Sequence, residues 1–397
     1  MKDIIILGAG AIGCSIAYHL GKKGITSTVI DRESIASRAS GKAWGVISYP
    51  PLLLATARDP ESYFGMPEGE NVARWQYLYW SAYYRLAGLS AEIREKGKVD
   101  IAFGSVPMIM AGTSEDATEN LKGLGSFLRQ NGFYEPEWLE SDDLRSIFPG
   151  IHPKICGGLR IPQLQVEPYK YTLGLAQSAE AMGAEIRHGD VVGFETSGDR
   201  IIAVKLASGR RIEGEAVVIA LGPWSGLAAS WLGQKIPAYI TLEECLRIKA
   251  PENFPLQSLN CGVEIIRVDG DLILATAEVR SVAHYFESKQ RADFNTELSD
   301  EIRDINLHAA LKLLPDLLQK AELIEHRGDL LAYGPAPFYQ KPVMGRFKEW
   351  KNGFIASRFG GMGINMSVGA GEIMADLIAE GEVFFNVKDL VECLSPK

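Results

Sequence analysis

The first thirty-one residues, MKDIIILGAGAIGCSIAYHLGKKGITSTVID, constrain the fold more than any other stretch of this chain. The four apolar residues Ile4, Ile5, Ile6 and Leu7 are too few to cross a membrane and suit a strand buried in a parallel sheet. They run straight into Gly8, Gly10 and Gly13. Ile12, Ile16, Ala17 and Leu20 then recur at helical spacing, and the pattern closes near Gly24. A second strand, Ser27 to Ile30, ends in Asp31. Strand, glycine turn, helix, strand and acid in this order form the unit that binds the ADP half of a dinucleotide.

Each glycine has a physical task. Gly8 permits the tight turn out of the strand, Gly10 lets backbone approach a pyrophosphate, and Gly13 lets the helix pack closely on the sheet. The helix N-terminus offers N–H groups and the positive end of its dipole to the phosphates. Asp31 follows Gly8 by 23 residues, near the usual offset of about 20 for the acid that holds the ribose. An acid there favours a ribose diol over a 2′-phosphate. The motif does not separate FAD from NAD.

A chain of 397 residues accommodates two domains, and 46% hydrophobic content describes a soluble globular protein. The net charge of −9 argues against nucleic acid and against an anionic membrane surface. Cys14, Cys156, Cys245, Cys261 and Cys393 are scattered without a CxxC, which predicts a reducing, cytoplasmic setting and no metal site. The apolar N-terminus is broken by glycines and is read as a strand rather than a signal peptide. No stretch reaches 18 uninterrupted apolar residues, so no membrane span is expected.

After Asp31, the Ser- and Gly-rich stretch RESIASRASGKAWGVISYPP reads as a loop returning toward the nucleotide. Helices are expected at about 71–97, 169–182 and 300–318. A three-strand meander with turns at SGD and SGR is expected before a buried strand, Ala216 to Leu221. The alternating segments ECLRIKA, VEIIRV and DLILATAE, within about 236–278, predict a separate mixed or antiparallel sheet. Near the C-terminus, a strand over Gly353–Ser357 enters the turn RFGGMGIN, and a helix is expected from about Met366 to Ala379.

That second turn carries Gly360, Gly361 and Gly363, which again let backbone pass close to something flat or charged. The helix behind it points its positive end at the turn, an arrangement suited to the negative charge of a reduced flavin. A packing turn before a last helix is the plainer reading of the same residues.

With both turns in place, the chain resembles the FAD-dependent D-amino-acid oxidase superfamily, in the branch of glycine oxidase and monomeric sarcosine oxidase. The resemblance rests on IIILGAGAIG with Asp31, ASGKAWGVI, VEPYKYTLGLAQSAEAMGAEI, GEAVVIALGPWS, GDLILATAEV, KPVMG and FGGMGINMSVGAGEIMADLI, in that order along nearly the whole length. It implies an α/β fold: a Rossmann-like FAD domain of the glutathione-reductase type, discontinuous in sequence, beside a substrate domain with a mixed or antiparallel sheet. The expected division gives 1–50, 150–235 and 335–397 to the FAD domain, and 51–149 and 236–334 to the substrate domain. By the same resemblance, Gly8, Gly10, Ala11, Ile12 and Gly13 meet the pyrophosphate, and Asp31 and Arg32 lie at the adenosine ribose. Ser40, Gly41, Lys42, Ala43, Trp44, Gly45 and Val46 wrap the pyrophosphate and approach the ring. Val191 offers its backbone to the adenine, and Gly222 and Trp224 lie along the middle of the cofactor. Gly360, Gly361, Met362, Gly363, Ile364 and Asn365 cover the pyrimidine end. No cysteine lies in either turn, so the FAD is expected to be non-covalent.

The implied reaction is hydride transfer from a carbon bearing an amine to the flavin, with the imine then hydrolysed. The implied partners are an amine or amino-acid substrate and oxygen or another electron acceptor; oligomeric assembly is left open. Two alternatives remain: oxidation of a 2-hydroxy acid, and a flavin-binding subunit of a hetero-oligomeric dehydrogenase. The departures from the family pattern concern the substrate. The arginine that usually holds a substrate carboxylate corresponds to Gly334, a helping tyrosine to Val263, and the usual histidine of the turn to Met362. Arg358 and Phe359 stand where a Gly-His pair commonly opens the turn. Arg358 is therefore the candidate replacement, with a surface ion pair as its alternative. Lys42, Tyr49 and Tyr339 are the other catalytic candidates, while Tyr333, Lys341 and Trp44 border the same region. His326 and Arg327 read as a solvated strand-end pair.

Overall fold

Asp3–Leu7 (β1), Ala11–Lys22 (α1) and Thr26–Asp31 (β2) form a parallel βαβ unit in the computed structural model. The structure describes residues 3–50, 76–133, 136–276, 279–283, 294–334, 341–383 and 388–396. β1 is central in a six-stranded sheet. Beyond β2 lies Glu185–His188; on the other side lie Ala216–Ile219, Gly353–Ser357 and Val343–Arg346. Every pairing is parallel except the last, in which Val343–Arg346 runs antiparallel to its neighbour.

Both faces of this sheet are covered, which is why β1 reads as an unbroken apolar run. Ile4 and Ile6 pack toward α1, the Pro168–Ala181 helix and the Gly363–Glu380 helix. Ile5 and Leu7 pack the other way, against the antiparallel meander Val191–Ser197, Arg200–Leu206 and Arg211–Glu213. All four are fully buried, and burial of each side chain contributes about 1.5–3 kcal/mol relative to exposure. α1 is locked to the Gly363–Glu380 helix by the Ser15 hydroxyl, which donates to the Ser367 carbonyl at 2.7 Å.

The second large sheet has nine strands, mostly antiparallel, with one parallel pairing between Ser258–Asn260 and Met108–Gly112. Its long strands Tyr239–Lys249 and Leu323–Tyr333 pair along nearly their whole length. One face packs on the Asp300–Leu313 helix through Leu246, Ile248, Ile265 and Leu274. The other face carries Cys245, Ile266, Ile273 and Ala275, packed with Tyr49, Met108 and Ile161. A small sheet of Val46–Ile47, Leu164–Gln165 and Gly104–Ser105 ties the loop after β2 to the remainder.

Two readings change. The helix expected over 300–318 is two helices, Asp300–Leu313 and Pro315–Leu318, because Pro315 cannot donate to the preceding turn and begins a new one instead. The last long helix starts at Gly363 rather than 366: Gly363 has φ −56° and ψ −45°, ordinary helical values. Of the helix expected over 71–97, Gln76–Lys96 is observed, and its expected start lies outside the described residues. The strand Gly157–Ile161 pairs in the nine-stranded sheet. Among the described residues no helix is long and apolar enough to cross a membrane, and no group of three or more His, Cys, Asp or Glu could hold a metal.

Candidate active site

A cavity of about 1010 Å³ is lined by residues of both large sheets, with Asp31 and Arg32 of the nucleotide unit on one side and Arg358, Glu243 and Glu264 among the rest. The β1–α1 turn forms its floor on the nucleotide side. Gly8 has φ +105°, and a Cβ there would overlap the Ala220 carbonyl oxygen, so only glycine fits. Asp31 holds this turn: its carboxylate accepts from Ala9 N at 2.9 Å and from Glu33 N at 2.8 Å. A carboxylate oxygen accepts two bonds, which leaves capacity at Asp31 for a ribose hydroxyl. Ser40 Oγ accepts from Ala11 N at 2.9 Å and brings the loop after β2 over the helix N-terminus. The hydrogen bond from Gly189 N to Asp31 O (2.8 Å) sets Val191 beside the same end. Trp224 borders the cavity under two guanidinium groups, with Arg32 4.4 Å and Arg38 5.6 Å from its ring centre.

The expected cofactor residues line this one cavity with two exceptions, Gly13 and Gly41. A Cβ on Gly13 would overlap the Gly8 carbonyl, and one on Gly41 the Ala36 carbonyl. Both glycines thus serve close backbone packing, as the sequence reading of Gly13 also had it. Asn365 lines the cavity but spends its amide on the chain: Oδ1 accepts from Ser48 N at 2.8 Å and Nδ2 donates to Val46 O at 2.9 Å. It clamps the loop after β2 to the second turn.

At the far end, the turn Gly360–Met362 leads into the Gly363–Glu380 helix. In neither this helix nor α1 does the residue before the first turn supply a side-chain cap, and neither has an acid in its first turn. Both positive ends therefore remain suited to negative charge. Arg358 enters the turn in the left-handed region, φ +61°. That conformation costs an arginine roughly 1 kcal/mol or more and explains why glycine suits the position. Its side chain borders the cavity, Nη1 donates to Pro237 O at 3.0 Å, and Nε is buried without an acceptor. Burial lowers the guanidinium to about 10. Among the described residues no carboxylate meets Arg358, and its side-chain contact is the Pro237 carbonyl.

The remaining candidates divide. Lys42 borders the cavity, but its ammonium lies 2.9 Å from Asp329 Oδ2 and donates to Gly328 O at 3.2 Å. Tyr49 is buried in an aromatic cluster, 5.8 Å from the Tyr83 ring and 6.4 Å from Phe133. Tyr339 lies outside the described residues. His326 and Arg327 are not solvated: His326 Nε2 lies 3.0 Å from the buried Glu244, and Arg327, itself buried, donates to Ala43 O at 2.9 Å. The long pairing of Tyr239–Lys249 with Leu323–Tyr333 covers both residues.

Two acids went unnoticed in the sequence. Glu243 accepts from the Tyr333 hydroxyl, and burial raises its carboxyl above the ordinary range. A Cβ placed on Gly361 would lie 3.4 Å from the Tyr333 hydroxyl and 3.9 Å from Glu243 Oε2, which sets this pair against the second turn. Glu264 faces the cavity two strands away, and burial pushes it up to about 7. The only available signal was a glutamate within an otherwise apolar strand pattern, VEIIRV.

The residues present fit FAD. One long cavity joins a βαβ turn built for ADP, in which a side chain at Gly8 would collide, to a second uncapped helix end. A cavity joining those two ends, walled by a separate sheet, defines a flavin-dependent oxidoreductase of α/β architecture. The chain belongs to the DAO family of FAD dependent oxidoreductases, whose pattern it matches over residues 3–377. It is 25% identical to glycine oxidase of Geobacillus kaustophilus over 392 residues, 97% of this chain and 95% of that one. It is equally 25% identical, over 413 residues, to D-amino acid dehydrogenase 2 of Mesorhizobium japonicum, covering 95% of this chain and 96% of the relative. The crystal structure of glycine oxidase from Bacillus cereus superimposes with a TM-score of 0.81 at 23% identity, covering 99% and 98% of the two chains.

Proposed function

We propose that this protein oxidises the C–N bond of an amino acid or N-substituted amino acid, with Arg358 receiving the substrate carboxylate. The observation that carries this reading is Arg358 itself. A half-buried arginine with a buried, orphaned Nε, held in a left-handed backbone beside the second glycine turn, borders the cavity, and among the described residues no carboxylate pairs with it. A carboxylate is the partner that matches the fork.

FAD, when bound, supplies the hydride acceptor. Gly8, Gly10, Ala11 and Ile12 with Ser40 would hold its pyrophosphate, Asp31 its ribose, and Gly360–Ile364 the ring end. The protein's own share is positioning and proton handling. A carbon gives up hydride readily only when the attached nitrogen has a free lone pair, so a bound ammonium must first lose a proton. Glu243 is placed for this: it sits against the turn, and its raised pKa makes it a stronger base than an ordinary carboxylate. Tyr333 holds it in place by donating to Oε1. Packing of Tyr49, Met108 and Ile161 keeps the wall dry, and the fixed geometry supplies much of the rate. The imine formed is hydrolysed by water, and electrons pass to oxygen or another acceptor. The setting is cytoplasmic on this reading.

Anaerobic flavin bleaching with a panel of amino acids, N-methyl amino acids, simple amines and 2-hydroxy acids tests the proposal. Bleaching by amino acids is expected, with Arg358→Ala raising their Kd far more than that of simple amines. Bleaching by 2-hydroxy acids alone would overturn the C–N reading. A yellow protein inert to the whole panel would favour the partner-dependent subunit.

A further inference from the structure

The sheet register sets a row of side chains on the cavity wall. Glu264 pairs with Ala275 on one side and with Asn260 on the other, and Asn260 pairs with Met110. Continuing the Leu246–Leu274 pairing by one step brings Cys245 beside Ala275, and Glu243 lies two residues further on the same face. Paired residues share a face, so Glu243, Cys245, Ala275, Glu264 and Asn260 all look into the cavity, as each one lines it.

The other acids of these strands that line the cavity are engaged by the protein. Asp329 meets Lys42 and Leu330 N, Glu244 meets His326 and Ser299 N, and Glu243 meets Tyr333. Glu264 differs. Its Oε1 accepts from Asn260 Nδ2 at 2.9 Å, and among the described residues no cation faces it and no donor reaches Oε2. It stands in an apolar stretch of wall with Met108, Met110, Ile161 and Ala275. A carboxyl in such surroundings is costly unless something pairs with it, and desolvation accordingly raises it to about 7.

The order along the cavity is informative. Arg358 is anchored at Pro237, just before the strand Tyr239–Lys249 begins. Glu243 and the glycine turn follow. Glu264 lies two strands and two residues beyond Glu243, about 12 Å between Cβ positions at roughly 4.8 Å per strand and 3.3 Å per residue. Resting on the reading of this site as one that oxidises amino-acid C–N bonds, we propose that Glu264, oriented by Asn260, receives a second, protonated nitrogen at the distal end of the substrate. The substrate class is then a basic amino acid: carboxylate at Arg358, reacting C–N bond at the turn, and a terminal ammonium or guanidinium several methylenes away at Glu264.

The test uses the FAD-loaded full chain and two non-substrate probes of equal length, 6-aminohexanoate and heptanoate. Their Kd values are read from perturbation of the flavin visible spectrum. The wild type is expected to bind 6-aminohexanoate roughly 10- to 100-fold more tightly than heptanoate, the discrimination of one charge-assisted hydrogen bond. The isosteric Glu264→Gln should bring that ratio near one, Glu264→Leu should invert it, and heptanoate affinity should change little in Glu264→Gln. Equal binding of the two probes by the wild type overturns the proposal whether or not any variant folds, and so does a ratio that survives in Glu264→Gln. The two readings fail separately. A preserved preference with no bleaching by any amine removes the C–N assignment and leaves the Glu264 subsite. Bleaching by lysine and norleucine with equal affinity, in both enantiomers, removes the subsite and leaves the C–N assignment.

Discussion

Glu264 makes a stability prediction independent of any substrate. Its carboxyl titrates near 4.5 in an open chain and near 7 in the folded protein, because burial penalises the charged form. Between those values the folded protein holds a proton that the unfolded chain has released. Stability therefore falls as pH rises from about 4.5 to about 7 and is level on either side. At about 1.4 kcal/mol per pH unit, the loss is on the order of 3 kcal/mol. Glu264→Gln keeps the shape and a partner for Asn260 but does not titrate. The difference in unfolding free energy between variant and wild type should thus grow by about 3 kcal/mol in favour of the variant from pH 4.5 to 7.5. At roughly 2.1 cal/mol/K per residue, 397 residues unfold with about 0.8 kcal/mol/K, so the corresponding Tm change is about 4 °C. Urea melts of both proteins at saturating FAD measure it, and groups common to both proteins cancel in the comparison. A difference that stays constant with pH to within about 0.5 kcal/mol would refute the claim that Glu264 is a desolvated, uncompensated acid.

Three further outcomes follow from the same geometry. Arg358→Lys retains the charge but loses the fork, and should weaken binding of simple carboxylates roughly 10- to 100-fold while FAD content is unchanged; unchanged Kd values in a spectral titration would count against the clamp. Gly8→Ala forces a side chain onto the Ala220 carbonyl at φ +105° and should yield protein largely free of flavin, as read from the ratio of visible to ultraviolet absorbance. Lys42→Met leaves the buried Asp329 without its cation and should cost about 3 kcal/mol in urea unfolding, with Lys42→Arg recovering most of it; a loss below about 1 kcal/mol would mean that the Leu330 amide suffices for Asp329.

The part of the site legible in sequence is the part built from near neighbours in the chain. Gly8, Gly10 and Asp31 belong to one local βαβ unit, and turn chemistry and strand burial are encoded within a few residues of each. The turn at 360–363 is local in the same way, although the helix after it began three residues earlier than its apolar pattern suggested. Gly334, standing where an arginine was expected, and Arg358, standing where a glycine was expected, were both visible as departures, and the backbone of Arg358 indeed takes a glycine-like conformation.

What needed the tertiary structure is everything set by pairing between distant strands. Arg327 read as solvated, yet its strand crosses under the loop after β2 and it holds the Ala43 carbonyl. Lys42 read as free to act, yet the same strand supplies Asp329 to bind it. Glu243 and Glu264 carry only a weak local signal, an acid inside an alternating strand pattern, because which face of the strand meets the cavity depends on its pairing with distant strands. The sequence alone located the dinucleotide-binding βαβ unit, because strand, glycine turn, helix and acid lie in one continuous stretch, and the family match over residues 3–377 bears out FAD, which that stretch by itself did not separate from NAD. Which acids border the cavity was decided by strand register between segments far apart in the chain, where a slip of one residue would turn each side chain to the opposite face.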